Sequence, residues 1–324
     1  LGEAVSFEFL IEDMGKKKIL ILGSLGMLGQ ELAKSFSYDK KYEVTAWDKD
    51  DIDVTDFIVM EKELLALKPE IVINATGYNA VDLCEKDDEE FRKALILNRD
   101  VPSFLAEMSA KYGFLLVHYS TDYVFDGALG KNLSEKGCCG GGCCQIASDE
   151  SEAKIGYNEE ALPHPISRYG ESKLFGEKRV QENAENYFLV RLSKLFGRPG
   201  SSAAAKRSFF EVILEAAKSR ERVEVVDEER SSFTYAPDLA KATKELIESD
   251  AKRGIYHLTN SGSVTWYEAT RLLFDFAHVT TPLVPISSEK LSRPAQRPAC
   301  STLINSKRPA LRPFEEALKE YLRQ

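Results

Sequence analysis

Four apolar residues, Ile19-Leu20-Ile21-Leu22, open directly into Gly23-Ser24-Leu25-Gly26-Met27-Leu28-Gly29. Little else in the chain narrows the fold as much. A strand without a polar residue has to be covered on both faces, the situation of a parallel strand flanked by helices. Glycines at three-residue intervals then permit a tight turn and bring bare backbone to the start of the following helix. The free N–H groups and the dipole at that end favour negative charge, so the expected occupant is the pyrophosphate of a dinucleotide, which any Cβ would hold away.

Strands and helices alternate from this point, which predicts an α/β fold, a Rossmann-like doubly wound parallel sheet. Tyr42 to Asp48 reads as a second strand ending in an acid nineteen residues after Gly29. A carboxylate there accepts hydrogen bonds from the adenosine ribose and repels a 2′-phosphate, which favours NADH over NADPH; the adjacent Lys49 partly offsets the repulsion, so NADPH is also admitted. Asp53 and Val54 are suitably placed to flank the adenine. Ile71-Val72-Ile73 runs into Asn74-Ala75-Thr76-Gly77-Tyr78, a strand end where open α/β sheets bind ligands. Phe114 to Tyr119 leads to Ser120-Thr121-Asp122-Tyr123, and between these strands Glu85 to Tyr112 predicts helix with a break or kink around Pro102. Leu25, Met27 and Leu28 join the glycines as expected cofactor contacts, with Ala75, Thr76, Gly77 and Tyr78 as the floor.

Composition bounds the partners. A formal charge of -9 argues against a general nucleic-acid surface. No segment approaches the roughly 20 apolar residues that span a bilayer, and Leu1 to Asp13 lacks a basic leader region, so a cytoplasmic location is expected. Met14 reads as the natural start, with residues 1–15 as an N-terminal extension, 16–192 as the NAD(P)-binding domain and 193–324 as mainly a substrate-binding lobe. In that lobe Val223 to Val226 and Gly254 to Leu258 are strand-like, and Trp266 opens an amphipathic helix through Ala277, itself read as a core residue. A homodimer is compatible with this organisation.

Far downstream stands Tyr169-Gly170-Glu171-Ser172-Lys173. Reducing a ketone by hydride leaves negative charge on oxygen, so such a site needs a proton donor aimed at that oxygen. Tyr169 can supply it, and Lys173 lies four residues on, on the same helical face, where its charge favours the phenolate. The plain alternative for Tyr169 is a half-buried helical tyrosine.

The Gly-x-x-Gly-x-x-Gly spacing points toward short-chain dehydrogenases/reductases. Within that group, Asn74-Ala75, Ala80-Val81-Asp82 with Glu85, Ser120 to Gly127, Tyr169 to Lys173 and Thr234 to Ala240 together resemble the dTDP-4-dehydrorhamnose reductase family, from about Lys16 to the C-terminus. The resemblance implies NAD(P)H-dependent reduction of the 4-keto group of a dTDP-linked 6-deoxyhexose to dTDP-L-rhamnose, with a divalent cation such as Mg admissible. It implies that Lys173 also holds the nicotinamide ribose, that Thr121 orients the substrate oxygen toward Tyr169, and that Asn98, a relay residue on the neighbouring helix, is a cofactor contact. Val81, Asp82, Asp122 and Tyr123 fall to the substrate side. The two phosphates of a nucleotide sugar need cations, for which Arg293 and Arg297 in Arg293-Pro294-Ala295-Gln296-Arg297-Pro298 are candidates.

Two departures qualify the resemblance. Where many members have Arg-Thr-Ser-Trp, this chain has Arg191-Leu192-Ser193-Lys194, which leaves the sugar open and makes Lys194 a candidate substrate contact. An insertion at 128–155 carries Cys138-Cys139-Gly140-Gly141-Gly142-Cys143-Cys144 and reads as a flexible surface loop, with zinc binding the lesser alternative and no metal site expected. A 4,6-dehydratase needs Asp-Glu after the threonine, where Asp122-Tyr123 stands, whereas a 4-epimerase needs no such glutamate. A non-catalytic NAD(P)-binding regulatory subunit, like the β subunit of methionine adenosyltransferase, would need no proton donor.

Overall fold

The computed structural model describes residues 15–129, 155–202 and 207–323. Its first half alternates as expected: β1 (Lys17–Leu22), α1 (Met27–Ser37), β2 (Tyr42–Trp47), α2 (Phe57–Leu67), β3 (Ile71–Asn74), α3 (Val81–Lys86), α4 (Asp88–Leu95), α5 (Val101–Tyr112), β4 (Leu115–Thr121), α6 (Arg168–Asn183) and β5 (Tyr187–Leu192). Then come β6 (Leu195–Phe196), α7 (Phe209–Ser219), β7 (Val223–Val226), β8 (Arg230–Ser231), β9 (Thr234–Tyr235), α8 (Ala236–Glu248) and β10 (Gly254–His257). The chain ends through β11 (Asn260–Ser261), β12 (Val264–Thr265), α9 (Trp266–Ala277), β13 (Leu283–Ile286), β14 (Leu311–Pro313) and α10 (Phe314–Tyr321). The bulk of the insertion, with its four cysteines, and residues 1–14 of the N-terminal extension lie outside the described residues.

Six strands form one parallel sheet in the order β10-β5-β4-β3-β1-β2. Alternation along each strand feeds two cores. Ile19, Ile21, Ile73, Val117 and Val190 face Leu32 and Phe36 of α1 and Leu239 and Leu246 of α8. Leu20, Leu22, Val72, Leu116 and Leu189 face Met60 and Leu64 of α2, Leu105 of α5 and Val180 of α6. The unbroken apolar run at residues 19–22 is thus a consequence of helices on both faces.

The stretch 193–324 divides differently in space than in sequence. β10 returns to the sheet beside β5, and α8 packs on the α1 face, so residues 236–257 serve the first domain. The reason is physical: without β10, β5 would end the sheet with an open edge, and Phe188 would lose the edge-on Tyr256 ring 5.6 Å away. The remainder gathers around an aromatic core in which Phe196 meets Phe210, Tyr235 and Phe314 at centroid distances of 5.2, 5.1 and 5.7 Å.

The helical region before β4 breaks earlier than expected. Asp87 ends α3 and caps α4, accepting from the Glu89 N–H at 2.8 Å. A π-helical turn, Ile96–Asp100, then joins α4 to α5. Pro102 has no N–H to offer the carbonyl of Asn98, and the wider turn accommodates that loss. The freed carbonyl lies so close to α6 that a Cβ on Gly176 would come within 2.0 Å of it.

Beneath the sheet edge, Arg191 of β5 and Glu177 of α6 form a fully buried two-pronged ion pair, with N···O distances of 2.9 and 2.6 Å. His257 of β10 stands 3.5 Å from the same guanidinium, and burial holds its pKa well below the ordinary value against the opposing pull of Glu159, with the Arg191 charge acting the same way as burial. Removing one member strands the other. Arg191→Met should cost about 3–5 kcal/mol in urea denaturation, and adding Glu177→Leu should recover part of it; a double variant no more stable than the single would show that the pair is not the cause.

Candidate active site

The carboxyl ends of β1, β3, β4 and β5 open onto one cleft of about 1150 Å³. Its inner wall is the glycine turn. A Cβ on Gly29 would stand 1.9 Å from the Gly23 carbonyl oxygen, and Gly23 itself has φ 78° and lies against the backbone of Ala75 and Thr76. The N-cap of α1 is Gly26, which has no side chain to bond the first-turn N–H groups. Gly23, Gly26, Met27, Leu28 and Gly29 all line the cleft. Leu25 does not; its N–H instead donates to Asp48 at 2.9 Å. The other Asp48 oxygen accepts from the Lys49 N–H at 2.9 Å, so this carboxylate holds the turn in shape as well as facing the cleft.

Asp53 and Val54 line the adjoining wall, with Asp53 fixed by the Thr55 N–H and hydroxyl at 2.9 and 2.7 Å. Ala75, Thr76, Gly77 and Tyr78 form the floor, where Asn74 accepts from the Thr76 hydroxyl at 2.6 Å. Asn98 is fully buried behind that floor and off the cleft. Its amide pairs with both backbone groups of Tyr78 at 2.9 Å and donates to Ser172 at 2.9 Å, fastening the floor to α6. Ser120 lines the cleft, and its buried hydroxyl lacks a partner among the described residues. The bare helix end and the glycine turn without a Cβ fit a dinucleotide.

Thr121, Tyr169 and Lys173 converge on the same cleft. Ser167 caps α6 by accepting from the Gly170 N–H at 3.2 Å, which sets Tyr169 in the first turn with Lys173 one turn below. Lys173 donates to the Tyr119 carbonyl at 3.2 Å. Burial lowers its pKa to about 8 against the opposing pull of Glu177. Lys173 is not among the groups that shift Tyr169, contrary to the expected depression. Burial drives the phenol well above its ordinary value, with a Thr121 hydrogen bond acting the other way. Tyr169 therefore holds its proton and is a donor by default. The ring of Tyr123 meets it edge-on at 5.8 Å.

Asp122 is buried and binds three hydroxyls: Thr121 at 3.1 Å, Ser193 at 2.8 Å and Ser301 at 2.5 Å. It ties the end of β4 to the β5–β6 link and to the C-terminal loop, and burial raises its pKa. Val81, Tyr123 and Lys194 line the cleft, but Asp82, Arg293 and Arg297 do not. Arg297 is spent on Asp82 at 2.6 and 2.7 Å, and Arg293 on Glu229, so the two arginines pin the proline loop instead of facing the cleft. Among the described residues no group of three or more His, Cys, Asp or Glu side chains could hold a metal ion.

The family model described as RmlD substrate binding domain matches residues 17–324. The chain belongs to this family. It is 30% identical over 311 residues to the spore coat polysaccharide biosynthesis protein SpsK of Bacillus subtilis (strain 168), covering 95% of this chain and 97% of that protein. It is 31% identical over 298 residues to a dTDP-4-dehydrorhamnose reductase of Aggregatibacter actinomycetemcomitans, covering 88% and 90%. A crystal structure of dTDP-4-dehydrorhamnose reductase from Bacillus anthracis str. Ames in complex with NADP superposes with a TM-score of 0.81 at 29% identity, covering 95% of this chain and 99% of that one.

For an RmlD-family member, the cleft contains groups that the sequence did not single out. Trp266, read as a core residue, lines the cleft at the head of α9, because the capping box of Thr265 and Glu268 starts the helix at that point. Ser202 and Phe209 also line it. Their signal was weak, since a single aromatic before an amphipathic helix is equally good core material. If Tyr169 is the donor, Tyr169→Phe should lower turnover about 10²–10⁴-fold while cofactor affinity, followed by fluorescence titration, stays within a few-fold. Near-normal turnover would remove Tyr169 from the chemistry. Lys173 is charged below its pKa of about 8 and neutral above it, so kcat should fall as pH rises through that value.

Proposed function

We propose that this protein catalyses the NAD(P)H-dependent reduction of the 4-keto group of a dTDP-linked deoxysugar, with dTDP-4-dehydrorhamnose as substrate and dTDP-L-rhamnose as product. The observation that carries this reading is the convergence of Thr121, Tyr169 and Lys173 on one cleft whose inner wall is a bare helix N-terminus. Family membership and relatives named for the same reduction support it.

When bound, the nicotinamide cofactor supplies the hydride. The turn Gly23 to Gly29 would take its pyrophosphate, Asp48 with Asp53 and Val54 its adenosine, and the floor Ala75 to Tyr78 with Lys173 its nicotinamide end. Thr121 would hold the substrate carbonyl oxygen by a hydrogen bond. Tyr169, protonated because it is buried, delivers a proton to that oxygen as negative charge develops there. Lys173 then faces a phenolate, which its charge stabilises. The smaller lobe, with Trp266 and Lys194 on its cleft wall, takes the nucleotide sugar. Asp48 is partly committed to the Leu25 N–H, and Lys49 stands beside it in the cleft, so a 2′-phosphate is tolerated and NADPH is favoured as donor.

Incubation with dTDP-4-dehydrorhamnose and NADPH, then with NADH, should consume the reduced cofactor in step with formation of dTDP-L-rhamnose, resolved by chromatography. Absence of turnover with both donors, in protein that binds the cofactor, would overturn the substrate assignment.

A further inference from the structure

Lys194 occupies an unusual position. It follows β5 by two residues, and Leu192 at the end of β5 is paired in register with Thr121 of β4, so Lys194 lies just beyond the catalytic level of the sheet. Its backbone has φ 40°, a left-handed conformation that a side chain with a Cβ rarely adopts. Its ammonium sits 3.9 Å from the centroid of Trp266 and 5.1 Å from that of Phe233, and it donates to the Glu229 carbonyl at 3.2 Å. Both Lys194 and Trp266 line the cleft.

The charged groups around this ammonium are spoken for. Asp122 binds the hydroxyls of Thr121, Ser193 and Ser301. Glu229 bonds Arg293 and the Trp266 indole N–H, and Arg230 bonds Glu268 and the Ser263 carbonyl. Among the described residues no carboxylate forms an ion pair with Lys194. An ammonium has three hydrogens, and the bond to Glu229 uses one.

We propose that Lys194 is a specificity-determining residue, whose protonated amine donates a hydrogen bond to an oxygen of the substrate's sugar beside the reacting carbonyl. The proposal rests on the ketosugar reading above and deepens it. A sugar that presents an acceptor at that position binds; one that lacks it leaves a charged donor unsatisfied in a closed aromatic corner.

The same placement makes recognition sensitive to pH. Burial lowers the Lys194 pKa to about 7, with Asp122 and Glu229 raising it and Arg230 and Arg293 lowering it further. The amine is charged below that value and neutral above, so KM for the sugar should climb as pH rises through neutrality. Arginine keeps its charge throughout.

Three proteins test this: wild type, Lys194→Met and Lys194→Arg, each first checked for an unchanged melting temperature. The methionine variant should raise KM for the nucleotide sugar roughly 10- to 100-fold, with a smaller change in kcat, and should lose the wild-type dependence of KM on pH. The arginine variant should retain a KM that is flat across neutral pH. Inhibition by dTDP alone, which has the diphosphate and no sugar, should be the same in all three. A methionine variant with wild-type KM and pH profile would overturn the proposal. So would a dTDP inhibition constant weakened as much as KM, which would move the contact to the diphosphate. Failure of the wild type to turn over the ketosugar would instead count against the substrate assignment.

Discussion

Apolar strands buried on both faces impose the rest of this architecture. Because β1, β3, β4 and β5 run parallel in one sheet, each must be followed by a covering element, and all of their carboxyl ends emerge along one edge. The chain order reverses between β1 and β3, which parts the loops there and leaves a crevice. The glycine turn after β1, the floor after β3, Thr121 at the end of β4 and Lys194 just past β5 all hang from that edge, and α6 brings Tyr169 and Lys173 to it. The sheet is also why distant segments cooperate. β10, from the far half of the chain, seals the edge of β5 and brings His257 against the buried Arg191 and Glu177.

Burial then does the electrostatic work, in opposite senses on neighbouring groups. A phenol is neutral when protonated and a lysine is neutral when deprotonated, so one low-dielectric site raises Tyr169 and lowers Lys173 to about 8. The acid is thereby kept loaded, and the amine that would stabilise its conjugate base stays close to its own titration point. Asp122 contributes by position: a buried carboxylate that accepts from Thr121, Ser193 and Ser301 ties the end of β4 to the β5–β6 link and to the C-terminal loop.

Much of this was legible from the sequence because period and punctuation carry it. The apolar run, the three glycines and the Tyr169–Lys173 spacing each reflect a local requirement of strand burial, tight turning or helical spacing. The strand from Val223 to Val226 and the helix from Trp266 to Ala277 were readable to the residue, since valine-rich composition marks the one and an N-cap opens the other. What escaped depends on contacts between segments far apart in the chain. Arg293 and Arg297 look like phosphate ligands until Glu229 and Asp82 are seen beside them, and those partners are 64 and 215 residues away. Asn98 looks like a cofactor contact until the π-helical turn is seen to aim its amide at Tyr78 and Ser172. The left-handed backbone at Lys194 and the aromatic faces around it have no local signature.

The central claim is that this cleft delivers one hydride and one proton to a ketone, with Tyr169 as the proton source. Running the reaction with NADPH deuterated at the transferable nicotinamide position tests it most directly, with the product examined by mass spectrometry and proton NMR. The account predicts one deuterium per product molecule, located at C4 of the sugar, and loss of that incorporation in parallel with turnover in the Tyr169→Phe protein. An unlabelled product, or inversion at C4 without net consumption of the cofactor, would contradict it.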